Sequence, residues 1–210
     1  MIKEVTIPDN LNDLTLGQWQ KIMIVSSTEG VTDDLIGETI LEVVYGIKKA
    51  YIEQVKSRDI EKLINDYRNA IDKKPQFRNK FKLDGVLYGF IPNLDDITAG
   101  ELIDIDSYGE TKNHHLLMSV LYRPIINTIK TDYQIESYTG TNDILKDMPL
   151  GVALGAAAFF LSLGMDLQKG IIQSLKEENP QSLNKALAKS GVGINLLTRF
   201  PTGIFCDLMI

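Results

Sequence analysis

The amino-acid sequence predicts a mainly α-helical protein, a helical bundle that also contains one small β-hairpin. Apolar side chains recur every three to four residues through most of the chain, which is the period of an amphipathic helix. Threonine helix caps precede several of these stretches. Between residues 80 and 91 the apolar spacing changes to alternation around Asp84-Gly85, a pair typical of two-residue hairpin turns.

Two predicted helix starts have nearly the same sequence. Residues 7–18 read IPDNLNDLTLGQ and residues 91–101 read IPNLDDITAGE, so they align with one residue dropped after the proline. In each copy a threonine, Thr15 or Thr98, comes three residues before a glutamine or glutamate. This is the spacing of a capping box, in which each side chain satisfies a backbone N–H group of the other residue.

The elements before the hairpin follow from the apolar pattern and from residues that end helices. Ile2–Ile7 alternates weakly and ends at Pro8, which predicts a short strand. Three helices are expected after it, over Thr15–Ser26, Thr32–Val55 and Ser57–Ile71. The second of these has an apolar stripe that keeps the helical period for about six turns.

The elements after the hairpin begin with the helix that starts at Thr98. A helix over Asn113–Tyr122 should end at Arg123-Pro124, because the residue before a proline is disfavoured in helical conformation. The other expected elements are a short strand over Tyr133–Tyr138 and helices over Met148–Glu178 and Ser182–Lys189.

The chain of 210 residues is long enough to bury a core and is expected to form one helical domain. The repeated helix start allows two internal repeat halves, 1–83 and 84–180, followed by a C-terminal helix and apolar tail over 181–210. The alternative is that both copies are simply good helix starts without a duplication.

The charge and the cysteine content argue against some classes of partner and against an internal disulfide. Twenty-eight acidic and 22 basic side chains give a net charge of −6, which argues against direct binding to nucleic acid. The single cysteine, Cys206, cannot form an internal disulfide and is interpreted as a small apolar side chain. Residues 1–8 contain no apolar run of the secretory type, so we expect the protein to stay where it is made.

The only two histidines are His114 and His115. Adjacent side chains on a helix point about a third of a turn apart, so the two imidazoles are poorly placed to share a metal ion. No cysteine cluster and no histidine at helical spacing accompanies them. We therefore expect neither a metal site nor acid–base catalysis from this pair.

Acidic pairs are the other candidates for chemistry, and they occur at Asp33-Asp34, Asp95-Asp96 and Asp104/Asp106. The first two pairs lie at helix entrances, where capping and the helix dipole explain acidic side chains. The third pair could bind a cation together with Asp95 or Asp96, but its spacing is not that of a calcium loop.

Nucleotide-binding patterns do not change this interpretation. Gly191-Val192-Gly193 has the spacing of a dinucleotide fingerprint, but it follows a predicted helix and its third position is Leu196. We expect no enzyme, and we assign no catalytic, cofactor-binding or metal-binding residue. A deep pocket would reverse this expectation if it gathered two or more of these side chains: Asp104, Asp106, His114, His115 and Arg123.

The segment Met148–Met165 has no charged residue over 18 positions, close to the lower limit for a membrane span. Gly151 and Gly155 have the spacing of a close-packing pair in membrane helices. Acidic residues at both ends, Asp147 and Asp166, favour a buried central helix that neighbouring helices approach closely. A membrane-associated protein anchored by this helix is the alternative.

Several segments of the chain resemble proteins of tailed bacteriophages. They are Leu14-Thr15-Leu16-Gly17-Gln18, Phe90 to Glu101, Leu121-Tyr122-Arg123-Pro124, and Met148-Pro149-Leu150 with Gly155 to Phe160. The pattern is similar to that of small helical proteins from the structural and tail-assembly gene block, of the tail assembly chaperone type.

The resemblance implies a non-enzymatic role in phage assembly, in which a chaperone shields the tape-measure protein in the host cytoplasm until the tail tube polymerises. The alternative is a head–tail connector or ring subunit of the virion, with head–tail proteins or further copies of the chain as partners. The apolar stretch Ile194–Ile210 is expected to dock on the protein's own body, or else to act as an adhesive arm.

Overall fold

A second β-hairpin changes the predicted helical bundle into a mixed α+β fold. The computed structural model describes residues 5–130 and 132–178. In this part of the chain, helices precede and follow a four-stranded antiparallel sheet whose strands lie side by side in chain order. The predicted helical bundle with one hairpin is therefore wrong, because residues that follow the sixth helix continue directly into two further strands.

Four helices precede the sheet: α1 (Leu16–Ser26), α2 (Asp33–Tyr45), α3 (Lys49–Ile52) and α4 (Ser57–Ile71). The single helix expected over Thr32–Val55 is wrong. The chain leaves the helix at Gly46, where φ is 67° and the N–H donates to the carbonyl of Glu42. Glycine adopts this left-handed conformation without steric cost, so the apolar stripe continues in sequence while the helix ends.

The predicted hairpin is confirmed. Strands β1 (Lys80–Leu83) and β2 (Val86–Phe90) pair antiparallel, and the two residues that flank the turn lie directly opposite each other. The turn residues Asp84 and Gly85 have φ of 47° and 85°. Positive φ at both positions is the conformation that matches the twist of a hairpin.

The additional hairpin consists of β3 (Tyr122–Ile129) and β4 (Asp132–Ile135). The short strand expected over Tyr133–Tyr138 is observed as β4, which begins one residue earlier and ends three residues earlier. Strand β3 was not expected. Strand β2 pairs with β3 only over Tyr122–Pro124. The ladder between β3 and β4 shifts register between Ile125 and Asn127, and such bulges bend a strand.

Three further helices complete the described chain: α5 (Ala99–Ser107), α6 (His114–Leu121) and α7 (Leu150–Glu178). All eight residues from Leu150 to Ala157 are buried, so the expected buried helix is confirmed over this first part, whereas Ser162 and Met165 are exposed. Within residues 5–130 and 132–178, no helix has the length and hydropathy needed to cross a membrane.

Two glycines of α7 allow non-helical segments to approach its backbone. A Cβ at Gly155 would lie 2.3 Å from the carbonyl oxygen of Gln76, and one at Gly151 would lie 2.6 Å from Oδ1 of Asn12. These glycines therefore contact the loop before β1 and the 3₁₀ turn Leu11–Asp13, where neighbouring helices were expected.

The amino-terminal clasp joins the residues just before α1 to the start of α7. The N–H of Leu16 donates to the carbonyl of Met148 at 2.9 Å, and the N–H of Leu150 donates to the carbonyl of Leu14 at 2.8 Å. Thr15 and Pro149, which lie between these bonded residues, form an isolated antiparallel bridge. The clasp holds α1, with its buried Trp19, against the central helix.

Several predictions fall outside the described residues: the helix over Ser182–Lys189, the Gly191-Val192-Gly193 motif, Cys206 and the apolar stretch Ile194–Ile210. The weak strand expected over Ile2–Ile7 is not formed by its described residues, 5–7.

Candidate functional site

Both predicted capping boxes are present. Thr15 Oγ1 accepts the backbone N–H of Gln18 at 3.2 Å, and Gln18 Oε1 accepts the N–H of Thr15 at 2.9 Å. Thr98 Oγ1 likewise accepts the N–H of Glu101 at 3.3 Å, and Glu101 Oε2 accepts the N–H of Thr98 at 2.7 Å. The repeated sequence therefore caps both helices in the same way.

The turns in front of the two helices also share a structure. Asn10 Oδ1 accepts a backbone N–H two residues further on at 2.8 Å, and its Nδ2 donates to Asp13 at 2.9 Å. Asn93 makes the equivalent bonds, at 3.1 Å to the N–H of Asp95 and at 2.8 Å to Asp96. This confirms that Asp95 and Asp96 belong to a helix entrance.

Gln18 and Glu101 each bind a second partner, and the two partners require opposite chemistry, a donor in one case and an acceptor in the other. Gln18 Nε2 donates to the carbonyl oxygen of Val43 in α2 at 3.1 Å, which requires an N–H donor. Glu101 Oε1 lies 2.7 Å from Nη2 of Arg123 in β3, which requires an acceptor. The amide and the carboxylate are thus each matched to the element that they connect to their own helix.

The ion pair between Glu101 and Arg123 is largely buried, with side-chain exposures of 4% and 13%. The hydroxyl of Thr98 adds a further hydrogen bond to Glu101 Oε2 at 2.7 Å. Burial raises the pKa of the Glu101 carboxyl, but the bonds from Thr98 and the charge of Arg123 outweigh it, so the pKa lies below its ordinary value.

Arg123 also brings Asp104 and Tyr138 into this polar cluster. The centre of its guanidinium lies 5.7 Å from the centre of the Tyr138 ring, and the hydroxyl of Tyr138 donates to Oδ2 of Asp104. Burial and the bond to the Asp104 carboxylate raise the pKa of the Tyr138 hydroxyl well above its ordinary value. Two of the candidate residues, Asp104 and Arg123, therefore lie close together. Asp104 contacts Tyr138, and Arg123 contacts both Tyr138 and Glu101. Asp106 lies two residues beyond Asp104 in α5.

His115 is the centre of a second polar cluster. Gln20 Nε2 donates to Nδ1 of His115 at 3.1 Å and to the carbonyl oxygen of Thr111 at 2.7 Å. Nε2 of His115 lies 2.9 Å from Oδ1 of Asp143. A neutral imidazole with its proton on Nε2 satisfies all of these contacts, because the Gln20 nitrogen can only donate. Burial and the nearby Lys146 lower the pKa of His115.

The adjacent imidazole of His114 has different partners. Its ring stacks on Trp19 with the ring centres 5.8 Å apart, and it is hydrogen-bonded to the backbone of Gly109. Burial lowers the pKa of His114 to about 4. The two imidazoles therefore do not converge, in agreement with their expected geometry on a helix. Among the described residues, no group of three or more possible ligands lies close enough to hold a metal ion.

The remaining acidic pair, Asp33-Asp34, occupies the first turn of α2. The N-cap residue in front of it is Thr32, whose Oγ1 accepts the N–H of Leu35 at 3.4 Å. This position confirms the interpretation of the pair as helix-entrance residues, whose negative charges are stabilised by the helix dipole.

A surface cleft of about 100 Å³ lies between the 3₁₀ turn Leu11–Asp13 and the loop after α4. Its lining includes three cations, Lys73, Lys74 and Arg78. None of the five side chains whose convergence in a pocket would have indicated an enzyme lines this cleft.

The part of β3 beyond β2 carries exposed apolar side chains. Ile126 and Ile129 are 62% and 54% exposed. Tyr133 of β4 instead packs against the sheet: a Cβ at Gly89 would lie 2.3 Å from its ring, and its hydroxyl donates to the carbonyl of Phe90 at 2.7 Å. The hairpin is therefore fixed to the sheet through Tyr133 and exposes two isoleucines to solvent.

Sequence reasoning missed Gln20, Asp143 and Tyr138 as partners of the named candidates. Gln20 is only 4% exposed, although it lies in an ordinary helical stretch without a local signal for burial. The useful signal was the spacing of Thr98 and Glu101, which located one member of the polar cluster correctly.

The chain matches no protein-family model, and no curated protein and no solved structure is significantly similar to it.

Proposed function

We propose that this protein is a non-enzymatic assembly protein of a tailed bacteriophage and acts through protein–protein contacts, as a tail assembly chaperone for the tape-measure protein. The phage assignment is supported by the sequence segments described above. The contact-based role is supported by one observation in particular, the exposure of Ile126 and Ile129 on the bent β3–β4 hairpin.

The hairpin beyond residue 124 has the properties of a contact surface. A two-stranded ribbon is marginally stable in water without further packing. Two exposed β-branched side chains on the ribbon add apolar area at its surface, and burial of such a side chain contributes about 1.5–3 kcal/mol. A partner that covers Ile126 and Ile129 would therefore stabilise both the hairpin and the complex.

The buried polar side chains also support a structural role. Glu101 connects a helix start to the sheet, and Gln20 and His115 connect α1, α6 and the segment that contains Asp143. Each contact joins elements that are distant in the chain. This use of polar side chains is typical of groups that fix an architecture.

A second candidate is a head–tail connector or ring subunit. The observation that favours it is the edge of β3 after Pro124, where β2 no longer pairs. A neighbouring copy could add a strand at this edge, which is a common way to join subunits. A chaperone would act in the host cytoplasm during assembly, whereas a ring subunit would remain in the virion.

Size-exclusion chromatography with light scattering tests the proposal on the full chain, alone and co-expressed with a tape-measure fragment. We expect a monomer or small oligomer that keeps the fragment soluble. A stable ring formed by the chain alone would favour the connector. A chain that neither assembles nor binds the fragment would contradict both candidates.

A matched pair of double variants tests the contact surface itself. Ile126→Thr with Ile129→Thr should abolish binding of the fragment while the hairpin remains folded, because threonine also favours strands. Ile24→Thr with Ile144→Thr removes two isoleucines that are 46% and 54% exposed elsewhere and should retain binding. Equal loss in both variants would contradict the assignment of the contact to the hairpin.

A further inference from the structure

The loop before β1 and β1 itself form a concentrated basic surface on an acidic protein. Five cations, Lys73, Lys74, Arg78, Lys80 and Lys82, fall between Asp72 and Asp84, and no acidic residue interrupts them. The whole chain has 22 basic and 28 acidic side chains, so this local excess is opposite in sign to the net charge of −6. We call residues 73–82 the basic edge.

The charge of the basic edge is not neutralised within the described part of the chain. None of its five cations forms a salt bridge with a carboxylate there. Lys80 Nζ lies 4.4 Å from the centre of the Tyr133 ring. Lys73, Lys74, Arg78 and Lys82 are exposed to solvent. These cations are therefore available to an anionic partner.

The surface is held in place by the core below it. The backbone of Gln76 rests against Gly155, and the ring of Phe77 stacks on Phe159 at a centre-to-centre distance of 4.5 Å. The hydroxyl of Tyr122 donates to the carbonyl of Arg78 at 2.6 Å. A ligand would bind a preformed surface, which reduces the entropy lost on binding.

Strand β1 is also an open edge of the sheet. The N–H of Phe90 donates to the carbonyl of Asn79 at 2.9 Å. In an antiparallel ladder every second residue pair is hydrogen-bonded, so Phe81 and Leu83 are the residues of β1 that bond to β2. The backbone N–H and C=O groups of Lys80 and Lys82 then point away from β2. No other described segment makes a backbone hydrogen bond to them.

We propose that the basic edge binds an acidic, extended segment of a partner protein, which adds as a strand beside β1 and places its carboxylates on the cations. The open backbone groups of Lys80 and Lys82 supply the strand pairing. Lys73, Lys74 and Arg78 line the adjacent cleft and supply the charge selectivity. This surface is separate from Ile126 and Ile129, so the inference does not depend on the proposed function.

Two simpler explanations account for less of the surface. Lysines on an edge strand discourage aggregation, which explains Lys80 and Lys82 but not the three cations that line the cleft. A nucleic-acid duplex carries about one charge per 1.7 Å of its length and would extend past this short surface onto an acidic protein. An extended peptide matches both the length of the edge and its charge.

Fluorescence anisotropy with the full chain tests the proposal. The probes are a short labelled peptide that alternates glutamate with threonine, the same peptide with glutamine in place of glutamate, and a short DNA duplex. We expect the glutamate peptide to bind roughly tenfold tighter than either other probe, and its affinity to fall with salt. Equal or tighter binding of DNA, or no binding of the glutamate peptide, would overturn the proposal.

Charge-matched variants locate the site. Lys73→Gln with Lys74→Gln and Arg78→Gln should weaken binding of the glutamate peptide roughly tenfold. Lys21→Gln with Lys56→Gln and Arg58→Gln makes the same charge change at exposed positions elsewhere and should leave binding nearly unchanged. Equal weakening in both variants would mean that only net charge matters, which overturns the assigned site.

Amide hydrogen exchange tests the strand pairing separately. Bound peptide should slow exchange at Lys80 and Lys82, whose N–H groups face the open edge, and leave the amides of β4 at the opposite edge unchanged. Binding without protection at these two amides would contradict addition beside β1.

Discussion

Nη2 of Arg123 lies 2.7 Å from Oε1 of Glu101, while the other carboxylate oxygen of Glu101 caps helix α5. One side chain therefore connects a helix start to the central part of the sheet. The Glu101 side chain is only 4% exposed. Loss of its ion pair or of its helix cap would therefore leave a buried polar or charged group without a partner.

Replacement of Arg123 by methionine should lower the free energy of unfolding by about 3 kcal/mol, because it leaves the Glu101 carboxylate buried without its charge partner. Adding Glu101→Gln should recover part of this loss, since a glutamine can still cap the helix, as Gln18 does in α1. Urea denaturation at neutral pH measures both effects.

The control for this prediction is Lys112→Met, which breaks an ion pair with Glu110 whose side chains are 64% and 69% exposed. It should leave the free energy of unfolding nearly unchanged, because water screens exposed pairs. Similar losses for Arg123→Met and Lys112→Met would show that the buried pair does not have the predicted structural role.

Gln18→Glu should destabilise the protein by about 1–3 kcal/mol, because the carbonyl of Val43 loses its donor and faces a carboxylate. The cap at Thr15 should survive, since glutamate serves the same function at position 101. Gln54→Glu makes the same chemical change at an exposed position and should be nearly neutral. Thermal unfolding of the two variants gives the comparison, and equal stability would contradict the matching of amide and carboxylate to their partners.

Stability should fall as the pH is lowered from 6.5 towards 4. Burial lowers the pKa of His114 from 6.5 to about 4, so the unfolded chain binds a proton in this range that the folded protein does not. The stabilisation is complete above the unfolded pKa and is lost progressively below it, by up to about 3 kcal/mol. Urea denaturation across this range measures the loss.

His114→Phe provides the specific test, because it keeps an aromatic ring beside Trp19 but removes the titrating group. The variant should show a shallower dependence of stability on pH, with the remaining slope due in part to His115, whose pKa is also lowered. An unchanged slope would show that His114 does not control the acid sensitivity.

Gly155→Ala should lower stability by about 1–3 kcal/mol, because its Cβ would lie 2.3 Å from the carbonyl oxygen of Gln76 and a backbone segment would have to move. Gly100→Ala is the matched control in helix α5, where a Cβ meets nothing within 4 Å. It should leave stability unchanged or raise it by up to about 1 kcal/mol. Calorimetric melting temperatures distinguish the two variants, and a tolerated Gly155→Ala would contradict the close approach.

The local elements were predictable where their signals were local. The capping boxes at Thr15 and Thr98 and the turn at Asp84-Gly85 depend on residues only a few positions apart. The end of α2 at Gly46 was missed because an uninterrupted apolar stripe outweighed one glycine. Its left-handed conformation is a local property, but the choice between helix interior and helix end depended on the packing of the following residues.

Strand β3 was missed because Pro124 was interpreted only as the residue that ends α6. In the observed ladder, Gly89 is paired with Arg123, and the N–H of Ile91 donates to Leu121. The backbone of Pro124 therefore faces away from β2, and its carbonyl accepts the N–H of Glu136 at 2.9 Å. A proline lacks an N–H, but at this position β2 does not require one.

The polar clusters could be predicted only in part, because their members come from distant segments. Glu101 was identified through its cap, and Asp104 and Arg123 were named as candidates. The contacts of Arg123 with Glu101 and of Tyr138 with Asp104 depend on how β3 and Tyr138 lie against α5. No spacing in the sequence indicates that Gln20 and Asp143 meet on opposite sides of His115.

The amino-terminal clasp has a consequence for how the protein is made. The backbone hydrogen bonds from Leu16 to Met148 and from Leu150 to Leu14 join residues more than about 130 positions apart, and such long-range contacts form late. The ribosome therefore synthesises α1 to α6 and all four strands before the helix that packs against them through the clasp. We expect the nascent chain to keep the interior faces of these elements open until the first turns of α7 leave the exit tunnel, so that the docking of one helix completes the packing of the described elements.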